Sequence, residues 1–234
     1  MPHTIILIGA FLICEKFVKV NKFQYLCKKQ TIMKTKEEFF KFLRKECRKH
    51  GVELSLRKVG YVRLSGFKCG GYFDSDTLPK PKLVVAMNKE LSISTLVHEY
   101  CHMTQWLDKI PLWGLASKSN YVIGEWLKGT DYSDIANHIA ISRDLELDNE
   151  IRASKMIEDY DFGVSRSQYI KTANAYIVFY NYLLLSRKWS EPANSPYCNK
   201  NIVAAMSDEF DMNYQSMDKE IYDIFKSENI GYLK

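Results

Sequence analysis

Histidine is scarce in this chain, five in 234 residues, and the six cysteines (Cys14, Cys27, Cys47, Cys69, Cys101, Cys198) are scattered with no CxxC pair. That spacing excludes a four-cysteine zinc site and a disulfide framework, and predicts reduced thiols in a cytoplasmic setting. No internal repeat or low-complexity segment is present, which removes solenoids and disordered tails from consideration. The apolar run "TIILIGAFLIC", Thr4 to Cys14, is too short to span a bilayer. It also lacks the preceding basic residues and the following cleavage site of a secretory signal. A tether, a buried strand and an extension outside the core fold all remain readings of it, and no firm membrane partner follows.

What is there describes a folded protein. Apolar residues make up 46% and aromatics 13% of a chain long enough to bury a sizeable core. The net charge of +5 is unevenly placed: residues 1–68 hold 16 Lys and Arg against 5 acidic residues, and the remainder is net acidic. Such a bias could serve a nucleic-acid surface, although no recognition motif accompanies it and a solvated basic helix reads equally from "KTKEEFFKFLRKECRKH". We divide the chain into residues 1–32, an N-terminal extension of unclear role, and residues 33–234, a single domain.

Periodicity predicts an amphipathic helix over 34–50 ended by Gly51, then two or three short strands in a meander, and a further strand at "LVVAMN". A helix over 92–108 follows, with Ser92 or Ser94 as N-cap. Residues 109–131, punctuated by Pro111, Gly114, Gly124 and Gly129, read mostly as connection. Long helices are expected over 133–159 and 167–189, with one or two short ones in the tail. The fold class expected is α+β, a small mostly antiparallel sheet followed by a helix and a helical C-terminal part.

The chemistry concentrates in "SISTLVHEYCHMTQWLD", residues 92–108. On a helical wheel Leu96, Val97, Tyr100, Cys101, Met103 and Leu107 form the core stripe, whereas His98 and His102 lie nearly opposite it. Imidazoles four residues apart stand one turn apart on one face, where both can ligate one zinc ion. Glu99 points to the flank, too far round to be a ligand but placed to take a proton from a metal-bound water. The competing reading is a solvated polar edge. Trp106, a large apolar residue on that same side, argues that something covers it.

Catalytic zinc takes three protein ligands, and the metzincin continuation HExxHxxGxxH is absent because Gln105 and Asp108 occupy its places. The candidate third ligand is Glu146 in "RDLELDNEIRAS", with Glu150 four residues on; Asp144, Asp148, Glu158 and Asp159 read as solvated charges. His98 to His102 followed by Glu146-Leu147-Asp148-Asn149-Glu150 resembles the gluzincin metallopeptidases. The resemblance implies that Glu146 completes the zinc site and that Glu150 orients a ligand histidine, although many gluzincins have Asp or Asn there. The segments "LVHEYCHMTQW", "LELDNEIRAS", "YIKTANAYIVFYNYLLLSRKW" and "SPYCNK" are similar to a family of small phage- and virus-encoded predicted metallopeptidases, over most of residues 33–205. That family usually has Cys where Asn149 stands, and residues 1–32 have no counterpart in it. The resemblance implies a zincin-like fold, a Zn²⁺ cofactor, a protein or peptide substrate and a cytoplasmic location, that of the host if the protein is viral.

A rival third ligand is Cys69 in "FKCGGYF", by analogy with peptide deformylases, which pair a strand-borne cysteine with HExxH. Cys101 faces the core and reads as packing. Oxyanion donors could come from His138, Tyr176 or Tyr180, and the strand "LVVAM" is the candidate edge for pairing with an extended substrate. The alternative function is a nucleic-acid-associated binding protein whose zinc site is structural or vestigial.

Overall fold

The first helix begins at a capping box. In the computed structural model, which describes residues 33–64, 67–88, 91–190 and 194–231, Thr35 Oγ1 accepts the Glu38 amide at 3.2 Å and the Glu38 carboxylate accepts the Thr35 amide at 2.6 Å. Strand β1 (Lys34–Thr35) therefore passes directly into α1 (Lys36–Lys49), which buries Phe39, Leu43 and Cys47 and stops before Gly51 at φ 70°. The run Thr4–Cys14 and the first five lysines of the basic N-terminal third lie outside the described residues.

Four short strands follow: β2 (Glu53–Arg57), β3 (Val62–Leu64), β4 (Phe67–Cys69) and β5 (Gly71–Asp74), and then β6 (Lys82–Ala86). The main sheet has the order β2-β6-β5, with β6 parallel to β2 and antiparallel to β5. Two expectations are corrected here. The sheet is mixed rather than mostly antiparallel, and "LVVAM" is its central strand rather than an edge. The physical reason stands in the sequence: Leu83, Val84, Val85 and Ala86 form an unbroken apolar run, all buried, as a strand covered on both faces requires. One face carries Leu83 and Val85 into the main core. The other packs Val84 and Ala86 against Val62 and Cys69 of the β3–β4 hairpin.

Helix α2 (Ser92–Leu107) starts at Leu91 without a side-chain cap, so neither Ser92 nor Ser94 plays the role expected of it. A further correction concerns residues 109–131. They form α3 (Pro111–Leu127), whose buried Trp113, Ala116, Asn120, Ile123 and Trp126 recur at helical spacing. Pro111 occupies the first turn, where its missing amide costs nothing, and Gly129, at φ 113°, lies beyond the end. Gly114 and Gly124 are simply tolerated in the interior.

Helix α4 (Ile135–Asp159) lies against both α2 and α3 and leads through β7 (Tyr160–Asp161) to α5 (Arg166–Ser186). β7 pairs in parallel with β1, tying the start of the described chain to the junction of α4 and α5. Asn174 and Asn181 of α5 donate to the backbone carbonyls of Ser207, Glu209, Tyr214 and Ser216, which holds the following loop on the helix. A 3₁₀ turn (Pro196–Cys198), α6 (Lys200–Ala205) and α7 (Lys219–Ser227) complete a mixed α+β architecture. Among the described residues no helix is long and apolar enough to cross a membrane.

Candidate metal centre

Helix α2 is buried on both sides. Its core stripe meets the sheet and α1, the opposite face, with His98, His102 and Gln105 at 0% exposure, is covered by α4, and Glu99, also at 0%, is covered by β5. The solvated-edge reading of the two histidines is thereby removed. Trp106 stands at the margin of this cover, its ring 5.6 Å from Phe73.

The His98 and His102 Nε2 atoms lie 3.1 Å apart. Glu146 Oε2, from α4, is 3.7 Å from the first and 3.5 Å from the second. Three atoms so spaced share a centre about 2.0 Å from each, which matches the ~2.0–2.2 Å of zinc bonds to imidazole nitrogen and carboxylate oxygen. These are the residues that could hold a metal ion, and among the described residues no further His, Cys, Asp or Glu joins them.

The hydrogen bonds behind the rings decide which ring atoms carry protons. Gln105 Nε2 donates to the Leu145 carbonyl at 2.9 Å and to Asp148 Oδ2 at 2.8 Å, so Gln105 must present Oε1 to His102 Nδ1, 2.8 Å away. His102 therefore carries its proton on Nδ1. His98 Nδ1 lies 3.0 Å from Glu150 Oε1, and the Tyr169 hydroxyl donates to Glu150 Oε2 at 2.5 Å. Asn149 Nδ2 lies 2.9 Å from the same His98 Nδ1 while Asn149 Oδ1 has no partner, so a proton on Nδ1 as well requires the two ends of that amide to exchange places. Both Nε2 lone pairs then face each other and a carboxylate oxygen. In that tautomer three acceptors converge in a dry interior, an arrangement suited to a cation, and a ring proton shared across the 3.1 Å between the Nε2 atoms satisfies the two rings as well. Even a proton serves: burial pulls the His98 ring toward neutrality, but the charge and hydrogen bond of Glu150 outweigh it and hold its pKa above the ordinary value.

Glu99 sits beside this group on the other flank, against β5. Neither of its carboxylate oxygens has a hydrogen-bond partner, and both are fully buried. Burial pushes its pKa up to about 8, opposed by the His98 charge and by the Phe73 backbone amide. A buried carboxyl poised near neutrality beside a ligand set has the properties of a general base.

The remaining candidates stand around this group or away from it. Cys69 Sγ donates to the Val62 carbonyl at 3.8 Å inside the hairpin core, and burial raises its thiol to about 12; it does not join the ligand group. Cys101 is buried with Sγ 3.9 Å from Met156 Sδ. His138 is engaged by Ser119 Oγ at 3.1 Å and Asp134 Oδ2 at 3.2 Å. Tyr176 and Tyr180, hydroxyls 3.2 Å apart, are buried and feel the charge of Glu146. Asp148, expected to be a solvated charge, instead accepts from Gln105 and from Arg152 Nε at 2.8 Å. The sequence assigned no role beside the two rings to Gln105, Asn149 or Tyr169. Gln105 was findable, since three residues after His102 it shares the ligand face; Tyr169 carries no such signal.

The site is thus a three-ligand metal centre in candidate form, flanked by an unbonded carboxylate. Compared with known proteins, the chain matches no protein-family model, no curated protein and no solved structure.

Proposed function

We propose that the chain is a zinc-dependent metallopeptidase of zincin-like fold, hydrolysing peptide bonds of a protein substrate. The observation that carries the reading is the convergence of two Nε2 lone pairs and Glu146 Oε2 on one point, with the Glu99 carboxylate left unbonded alongside. His98, His102 and Glu146 would hold the ion, and Glu150 and Gln105 fix the two rings in the ligating tautomer. Zinc bound there would supply Lewis acidity, lowering the pKa of water toward neutrality and polarising a peptide carbonyl.

Glu99 takes a proton from the attacking water and delivers it to the leaving amine as the C–N bond breaks. The positive charge of a bound zinc ion would pull the Glu99 pKa below its metal-free value, leaving the carboxylate ionised and able to act as the base. The substrate backbone is aligned by β5. The Ala86 amide donates to the Gly70 carbonyl at 2.8 Å, and the register pairs Gly71 with Val85 and Phe73 with Leu83. Bonding alternates along an antiparallel pair, so Gly71 and Phe73 turn their N–H and C=O groups to the outer edge, next to Glu99. An extended peptide adds there as a further strand. The four described cysteines are free and buried, in keeping with a reducing compartment such as the cytoplasm.

The test is metal content joined to hydrolysis. Purified protein is expected to hold close to one zinc per chain by elemental analysis and to cleave denatured protein substrates, and His98→Ala to lose both. Wild-type protein that takes up no zinc when offered it would end the proposal.

A further inference from the structure

The strand that flanks Glu99 contains a residue with no side chain where any side chain would touch the base. A Cβ at Gly71 would lie 3.0 Å from Thr95 Cγ2, 3.0 Å from Val85 Cγ2 and 3.1 Å from Glu99 Cγ. Carbon atoms rest at ~3.5–4.0 Å, so each contact would fall about half an ångström short. Gly71 does not owe its place to an unusual backbone, since it is an ordinary β5 residue paired with Val85. What it supplies is close approach of strand to helix.

We propose that Gly71 is a positioning residue for Glu99: its bare Cα lets β5 lie directly against the Glu99 stem and so sets how far the carboxylate reaches toward the metal ligands. This rests on the reading of Glu99 as general base. Two features of the structure meet in it. Neither Glu99 oxygen meets a partner at full hydrogen-bond distance and angle, so the packing of its stem contributes to holding the head group. The contact is made at Cγ, the last tetrahedral carbon before the carboxylate, where a displacement passes directly to the oxygens. Rigid flanking elements make such placement effective, and a misplacement of ~1 Å can cost about 100-fold in rate.

The experiment compares zinc-loaded wild-type protein with Gly71→Ala and with Gly71→Ala/Thr95→Ser. The serine keeps the hydroxyl bond to the Leu91 carbonyl but removes the Cγ2 that an alanine would strike, which protects the fold. Three quantities are read: zinc affinity by chelator competition, kcat and KM on a fluorogenic peptide, and the position of Glu99 in crystals of each variant. Expected are zinc affinity and KM within about threefold of wild type, kcat lowered about 10- to 100-fold in both variants, and a Glu99 carboxylate displaced by about half an ångström. Unchanged kcat, or a Glu99 left in place while β5 yields, overturns the assignment. Restoration of kcat by Thr95→Ser also overturns it, because the loss would then belong to packing against Thr95. Should the zinc-loaded wild type cleave no peptide, the peptidase reading falls and the crystals alone decide whether Gly71 positions Glu99.

Discussion

Replacing Glu99 by Gln tests the site through stability as well as catalysis. In the metal-free protein the Glu99 carboxyl is buried without a hydrogen-bond partner and its pKa rises from 4.5 to about 8. In the unfolded chain it ionises near 4.5, so between pH 4.5 and 8 the unfolded state has released a proton that the folded state still holds. The folded state binds more protons across that window, and stability conferred by the neutral carboxyl is complete below pH 4.5 and lost as pH rises to 8. At ~1.4 kcal/mol per tenfold change in acidity, the full loss is about 5 kcal/mol, and water entering around the ionised group reduces what is measured to about half or more of that. Gln keeps the shape and cannot ionise. Metal-free Glu99→Gln is therefore expected to be more stable than wild type by about 2–5 kcal/mol at pH 8.5, and nearly equal to it at pH 4.5. In urea titrations with a slope of ~2 kcal/mol per molar, that separates the midpoints by about 1 M or more. With zinc, the same variant is expected to retain the ion and lose hydrolysis. Parallel stability profiles from pH 4.5 to 8.5 would show that Glu99 is not held neutral in the fold, and hydrolysis by the zinc-loaded variant would remove it as the base.

Two further outcomes follow from the surroundings of the site. Tyr169→Phe strips Glu150 Oε2 of its hydroxyl donor and is expected to weaken zinc binding about 10-fold, measured against a competing chelator, while the fold is kept. Gly114→Ala and Gly124→Ala, at α3 positions where an added Cβ would meet nothing within 4 Å, are each expected to stabilise the protein by about 0.5–1 kcal/mol in thermal unfolding, with zinc content unchanged.

Much of the architecture could be read from local pattern. Charges and apolar residues alternate at helical spacing from Lys36 to Lys49, and Thr35 with Glu38 writes the start of that helix into the chain. The two long helices α4 and α5 lie within a few residues of their expected bounds. Helix α3 was obscured because proline and glycine are weighed as breakers, although a proline in a first turn and glycines with open space beside them break nothing. The central place of β6 was present in its unbroken apolar run but hidden by reliance on analogy.

The sequence by itself determined that His98 and His102 share a helix face with Glu99 at its flank, because a 3.6-residue repeat fixes direction around an axis whatever the rest of the chain does. Tertiary structure alone decided whether that face met water or protein. It brought Glu146 and Glu150 from a separate helix to opposite ends of the His98 ring, excluded Cys69, and laid Gly71 against the Glu99 stem. Residues some fifty positions apart meet only when whole elements pack, and a side chain's ionisation is set by the depth and partners which that packing supplies.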